Sequence, residues 1–427
     1  LVGYDTRFAS ARFARAVAEV LAGNGIHVLL SDRFQPTPVF SYSVIDRKAG
    51  GAIVITASHN PAPDNGFKIK SDAGASAPPE VIEQVEKNLD RLDASGVQRM
   101  PFDDARARGL IEPFDAVPAY DAQVAKLLDL DLLRNAGVKV VADAMYGTGQ
   151  GYFKRLLTGG STEVKEIRNF VNPAFPGIAP EPIRPHIDEL SRVVRETGAQ
   201  VGLATDGDSD RIGLVSDDGT FVNQHQVFAL LVLYLTEQRK LKGSAVRSVT
   251  MSSMADAYME RLGEHVFETP VGFKYIGARM LEEDAILGGE ESGGFGFRGH
   301  IPERDAIVAG LFLVDLMVRL GKSMSGVLDV MRDRFGDWHY LRVDVRYPAS
   351  ERAAIAQRVE SARPSALDGS PLKHVGTRDG YKFYAEDGSW LLIRFSGTEP
   401  LLRIYTETTS PERVQRMLQQ GREIAGA

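Results

Sequence analysis

The chain has 427 residues, 43% of them hydrophobic and 25% charged, an ordinary globular composition with length for three or four domains. It contains no cysteine, which excludes disulfides, thiolate nucleophiles and cysteine metal sites. The net charge is −7 with both signs interspersed, which argues against a nucleic-acid surface but leaves small anionic ligands open.

In chain order, Leu1-Val2-Gly3-Tyr4-Asp5 reads as the end of a strand, so an N-terminal strand segment is expected upstream of this numbering. Ser10 then caps a helix with Phe13, Val17 and Leu21 on one face. Strands follow at Ile26–Leu30 and at Ala52–Ile55, the second a continuous β-branched run. Strand–helix–strand order predicts a parallel sheet with right-handed crossovers. The pattern restarts after Pro118, with a helix through Val124, Leu127 and Leu128 and a strand at Val138–Ala142. A helix carrying Ile187, Leu190, Val193 and Val194 leads into the strand Val201–Ala204.

A third unit starts near Gln224. Its run Val227–Leu235 is the longest apolar stretch and too short to span a bilayer, which needs about 20 residues; it reads as a buried helix. Strands are expected at Val246–Met251, His265–Thr269 and Ala285–Leu287, with long helices between them. Beyond Gly336 the alternation becomes that of half-buried antiparallel strands, Tyr340–Val345 and Trp390–Arg394, with helices at 351–362 and 411–425. The expected architecture is three mixed α/β/α units, 1–116, 117–222 and 223–336, plus a C-terminal α+β unit, 337–427, around a central cleft of the kind built when sites on different units meet.

Four segments carry chemistry. Thr56-Ala57-Ser58-His59-Asn60-Pro61 follows a strand and leads into Asp64-Asn65-Gly66-Phe67-Lys68. A serine at the carboxyl end of such a strand sits where open α/β sheets bind ligands. His59 and Lys68 can neutralise an anion and move protons. The plain alternative is that Ser58 caps a helix. Asp206, Asp208 and Asp210 alternate at the end of the next unit's strand, and three carboxylates converge only around a hard cation. An EF-hand fails, because Arg211 and Asp217 stand where Gly and Glu are required; a solvated acidic turn is the rival. Glu290, Glu291 and Ser292 lie in the glycine-rich stretch 288–294, suited to vicinal hydroxyls or else a simple acidic turn. Arg394-Phe395-Ser396-Gly397-Thr398-Glu399-Pro400, with Arg403 beyond, can grip a phosphate or form a plain hairpin turn. Gly147, Gly149 and Gly151 have GxGxG spacing and read as a turn, not a dinucleotide loop.

With all four loops in this order, the chain resembles the α-D-phosphohexomutases, the superfamily of phosphoglucomutases, phosphomannomutases and phosphoglucosamine mutases. The resemblance implies that Ser58 carries a phosphoryl group and that Asp206, Asp208 and Asp210, with a phosphoserine oxygen, hold Mg²⁺. It implies that Glu290 and Ser292 contact sugar hydroxyls, and that Arg394, Ser396, Gly397, Thr398 and Arg403 hold the distal phosphate. His59 and Lys68 become active-site cations and catalytic residues; Arg7, Arg211, Lys274 and His300 join the substrate contacts. The implied reaction moves a phosphoryl group between C1 and C6 of a hexose phosphate through a bound 1,6-bisphosphate, which also serves as activator. A small phosphosugar is then the partner, without nucleic acid or membrane, in a cytoplasmic monomer or homodimer.

Three departures from the family pattern matter. The opening G-T-x-G-x-R segment is absent, consistent with a missing strand, and a protein beginning at Leu1 is expected to be poorly active. Gly294 stands where some relatives carry a histidine base, leaving Lys68, His59 or His300 for that role. The Glu-Glu-Ser loop and Val271-Gly272-Phe273-Lys274 look closest to the glucose branch, so glucose is expected ahead of mannose or glucosamine. The remaining rivals are a non-catalytic sugar-phosphate sensor and a phosphatase using Asp206.

Overall fold

The computed structural model describes residues 1–92, 96–396 and 399–426. They form four sheets. In the first, Val2–Tyr4 lies between Val28–Ser31 and Ala52–Ile55, with Ile111–Phe114 beyond the former, all parallel. The second places Val201–Thr205 and Glu163–Ile167 parallel on either side of Lys139–Asp143. The third runs Val266–Thr269, Ala245–Ser248 and Leu287–Gly289 in parallel.

Each of these sheets also has a reversal that strand–helix–strand reasoning did not foresee. Phe67–Lys70 returns antiparallel along Ala52–Ile55, Ile212–Ser216 along Val201–Thr205, and Phe295–Phe297 along Leu287–Gly289. The loops at the three reversals are 56–66, 206–211 and 290–294, the same segments singled out for their chemistry. A tight reversal at a strand's carboxyl end presents its loop at the sheet edge, where no crossover helix covers it. It also returns Lys68 to the register of Val54, near the serine loop. The fourth sheet is antiparallel throughout, and its motif joins Trp390–Phe395 to Leu401–Thr408.

One apolar cluster runs from Val39 and Phe40 through the second sheet to Phe335, while the fourth sheet has its own core. The helices Gln224–Leu233 and Ala306–Leu320 lie at the centre of the larger cluster, apolar on nearly every face. Full burial of each such aliphatic side chain stabilises by about 1.5–3 kcal/mol. Lys70 and Glu303, both buried, pair at 2.6 Å and tie the first sheet to the segment 300–305. Among the described residues, no helix is long and apolar enough to cross a membrane.

Several local expectations are corrected. The helix Ser10–Gly23 buries Ala14, Ala18 and Ala22, small residues that permit close approach, while Phe13 is 46% exposed. Ser10 is inside that helix and its hydroxyl donates to Asp5, so it makes no cap. Between the third unit's first two strands, the helix Asp256–Arg261 is only one short stretch. The strands there are Ala245–Ser248 and Leu287–Gly289, and Phe295–Phe297 escaped notice because its central glycine breaks the β-branched pattern.

Candidate active site

Ser58 sits in a turn that no helix follows, which removes the helix-cap reading. Its φ of 51° places a non-glycine residue in the left-handed region, a strained conformation that persists only where the surroundings impose it. The imposing group is Arg7. From a position 4% exposed, its guanidinium donates to the carbonyls of Ser58 (2.7 Å), Asn60 (2.5 Å), Pro61 (2.9 Å) and Asp64 (3.0 Å). Arg7, expected as a substrate contact, shapes the loop from behind: both of its Nη groups are committed to backbone carbonyls, and its Nε lies 3.4 Å from Asp5 Oδ2. Replacing Arg7 with methionine strands these carbonyls and is expected to cost the first unit about 2–4 kcal/mol. Early melting and accelerated hydrogen exchange at 56–66 would show it; unchanged exchange there would refute it.

The metal-loop carboxylates meet this serine. Ser58 Oγ donates to Asp206 Oδ2 at 2.8 Å, and Thr37 Oγ1 donates to Asp208 Oδ2 at 2.5 Å. Asp206, Asp208 and Asp210 are buried, with one oxygen of each within 4.8 Å of the others. Lys68 Nζ reaches Asp208 (2.6 Å) and Asp210 (3.0 Å), and Arg304 reaches Asp210 at 2.7 Å. Burial and the two neighbouring carboxylates push Asp206 well above the usual aspartate range. Burial acts the same way on Asp210, but Arg304, Lys68 and Arg211 outweigh it and hold that group low. Burial works against the charge of Lys68, yet Asp208 and Asp210 outweigh it and keep the amine protonated. Asp208 Oδ1 and Asp210 Oδ1 are buried with no hydrogen-bond partner. An all-carboxylate set with two unspent oxygens suits a hard divalent cation and not a soft one.

In the metal-free protein, burial, then Arg211, lower His59 to about 4, which favours the neutral imidazole, and its Nδ1 has no hydrogen-bond partner.

The third loop closes over the same place. Ile212 N–H donates to the Gly293 carbonyl (2.9 Å), and Glu290 Oε1 accepts from Ser292 (2.7 Å) and Arg304 (2.7 Å). Glu290, Glu291 and Ser292 line a cavity of about 580 Å³ together with Arg184, Tyr340, Arg342 and Arg403, so three of the four units contribute to it. Arg342 lies 3.5 Å from Glu291, while Asp344 sits 3.0 Å from Arg342 and 3.9 Å from Arg403. A polar cavity lined by both carboxylates and arginines suits a hydroxylated, anionic molecule.

Comparison with known proteins agrees. Profiles of the phosphoglucomutase/phosphomannomutase domains match in sequence: alpha/beta/alpha domain I at residues 1–95, domain II at 118–219, domain III at 223–334, and the C-terminal domain at 342–424. The chain belongs to the phosphoglucomutase/phosphomannomutase family. It is 28% identical over 421 residues to a phosphoglucomutase/phosphomannomutase of Thermococcus kodakarensis, covering 99% of this chain and 88% of that one. A phosphoglucosamine mutase of Corynebacterium aurimucosum is 29% identical, with 100% and 88% covered. A solved structure from Thermus thermophilus, described as a phosphomannomutase, is 34% identical with a TM-score of 0.85, covering 100% and 90%. The protein is thus a member of a phosphohexomutase family whose similar members are named for different sugars.

Within this family framework the other expected residues separate. Arg211 lies 3.9 Å from Glu181, which lines the cavity. Arg394 pairs with Asp379 at 2.8 Å, and Ser396 is buried with its Oγ accepting from the Glu399 amide at 3.4 Å. Gly397 and Thr398 lie outside the described residues. Lys274 is exposed, 5.1 Å over the Tyr275 ring, and is not among the cavity's lining residues. His300 lies apart from the cavity: its side chain is buried, bonded to Asp305 at 2.8 Å and packed against Tyr42 and Tyr120. The glycine turn at 147–151 packs under the metal loop: a β-carbon on Gly147 would crowd the carbonyls of Asp206 and Gly207.

Sequence reasoning missed Thr37, Arg184, Tyr340, Arg342 and Arg304. Strand alternation could have found two of them, because Tyr340 and Arg342 share a face of the strand His339–Arg346.

Proposed function

We propose that the protein interconverts the 1- and 6-phosphates of a hexose, glucose in preference, through phosphorylation of Ser58 and a hexose 1,6-bisphosphate that turns over in the cleft. The observation that carries this reading is Ser58 Oγ bonded to Asp206 inside a buried carboxylate triad. A capping or surface serine has no use for three buried carboxylates; a serine that accepts phosphate does. Asp206, Asp208 and Asp210 would hold Mg²⁺, which when bound draws charge from the phosphoryl oxygens.

The remaining work falls to the chain's own residues. Arg7 presents Ser58, and Lys68 adds positive charge beside it. Glu290 and Ser292 orient the sugar hydroxyls while Arg342, Arg394 and Arg403 retain the phosphate that is not reacting. The free hydroxyl oxygen forms a bond to phosphorus as the Ser58 Oγ–P bond breaks. Its proton ends on the departing Ser58 Oγ, relayed by His59, which is uncharged beside the triad while Lys68 is held protonated. Reversal with the other phosphate restores phospho-Ser58 and releases the isomer. Positioning and charge neutralisation supply most of the catalysis in such a transfer.

Coupled assays with the α-1-phosphates of glucose, mannose and glucosamine test the sugar. Glucose is expected to lead by roughly tenfold in kcat/KM, the scale of one well-placed hydroxyl contact. Glucosamine has standing as the second reading, since several relatives, including that of Corynebacterium aurimucosum, are named phosphoglucosamine mutases. A faster glucosamine or mannose phosphate would replace glucose here.

A further inference from the structure

Gly294 and Arg304 share one space. A β-carbon built on Gly294 would collide with Cδ and Cγ of Arg304 and lie 3.2 Å from Glu290 Oε1. The guanidinium that uses this room is forked between two loops: Nη1 donates to Glu290 Oε1 (2.7 Å) and Nη2 reaches Asp210 Oδ2 (2.7 Å). Arg304 is itself held from the far side. Its Nε lies 3.4 Å from Glu303 Oε1, and Glu303 Oε2 is anchored by Lys70 (2.6 Å) and Ser76 (2.5 Å). The guanidinium carbon lies over the Phe273 ring, 5.6 Å from its centroid. Arg304 is not among the residues lining the cleft cavity, whereas Glu290 is.

Resting on the mutase reading above, we propose that Arg304 is a positioning residue for the sugar loop and that glycine is required at 294 to admit it. Both bonds to Glu290 fall on Oε1, which leaves Oε2 to meet a sugar hydroxyl. The planar fork of an arginine fixes orientation as well as distance, whereas an ammonium acts as a point charge with rotatable donors. The fork sets the spacing between the carboxylate that reads the sugar and the carboxylates beside Ser58.

The test is a double-variant cycle in full-length protein carrying Ser58→Ala, with glucose 6-phosphate as the probe and calorimetry as the readout. Arg304→Ala and Gly294→Ala are each expected to weaken binding roughly tenfold. The doubly substituted protein is expected to bind no worse than either one, because the β-carbon evicts a side chain already gone. Arg304→Lys should recover only part of the loss. Arg304→Met keeps an unbranched stem without the fork and carries the same expectation where the alanine variant does not fold. Additive losses, or a Gly294→Ala protein that binds as tightly as its parent, would overturn the pairing. Undiminished binding by Arg304→Ala or Arg304→Met would overturn the positioning role. A parent protein that fails to bind glucose 6-phosphate at all would instead strike at the mutase reading.

Discussion

Ser58→Ala is expected to lower mutase turnover by about 10⁴-fold or more, the scale on which loss of a covalent nucleophile acts. The substitution removes one oxygen that nothing else nearby can replace. Thr56 has its hydroxyl committed to the Ser58 amide at 2.8 Å. Ser209, within the triad loop, has its hydroxyl paired with that of Thr148 at 2.9 Å, while Thr37 donates to Asp208 at 2.5 Å and sets its own amide on the Asp208 carbonyl. Intact mass after incubation with glucose 1,6-bisphosphate separates Ser58 from Thr37. The parent protein should gain about 80 Da for one phosphoryl group, Thr37→Ala should still gain it, and Ser58→Ala should not. Label retained in Ser58→Ala would move the nucleophile elsewhere and end the reading proposed above. Free phosphate released as fast as turnover, with Ser58→Ala harmless, would point to the phosphatase alternative.

The second large effect concerns the cation and pH. Because burial and its neighbours raise Asp206 above its ordinary value of about 4, the metal-free folded protein binds a proton there that the unfolded chain releases. Stability from this group is therefore complete below about pH 4 and is lost as pH rises through the elevated folded pKa. Asp206→Asn mimics the protonated form, and should melt a few degrees above the parent at pH 8 without metal, with the difference shrinking toward about pH 4. Mg²⁺ must displace that proton, so its affinity for the parent should rise up to about tenfold per pH unit below the pKa of Asp206. Saturating Mg²⁺ should raise the parent's Tm and leave that of Asp206→Asn nearly unchanged. Parallel melting curves for the two proteins across pH, or equal stabilisation of both by Mg²⁺, would contradict the convergence of these carboxylates on one ion.

Much of the site was readable before any fold was known, because its chemistry is contiguous. Ser58 and His59 are neighbours, Asp206, Asp208 and Asp210 fall within five residues, and Glu290 and Ser292 within three. Short spacing at a strand end leaves few places for such side chains to go. The strands were readable for the same reason, since burial imposes β-branched runs such as Ala52–Ile55. The reversals were not. A two-strand return and a crossover helix begin with the same turn residues, and only pairing across the sheet distinguishes them.

The hexapeptide His300-Ile301-Pro302-Glu303-Arg304-Asp305 shows the limit most sharply. By residue type either His300 or Arg304 could face substrate chemistry, and histidine is the more usual base. In the folded protein His300 lies between Tyr42 and Tyr120, while Arg304 turns to Asp210 and Glu290. Arg7 repeats the lesson: a cation near a phosphoserine loop reads as a ligand, yet four carbonyls consume it.

By itself the sequence determined the kinds of groups present, a hydroxyl, three carboxylates and several cations, and the family to which they point. Tertiary structure alone decided which of them remain free to act. Availability depends on burial and on partners supplied by distant segments, and a buried donor or charge is spent on whichever acceptor the fold brings within about 3 Å.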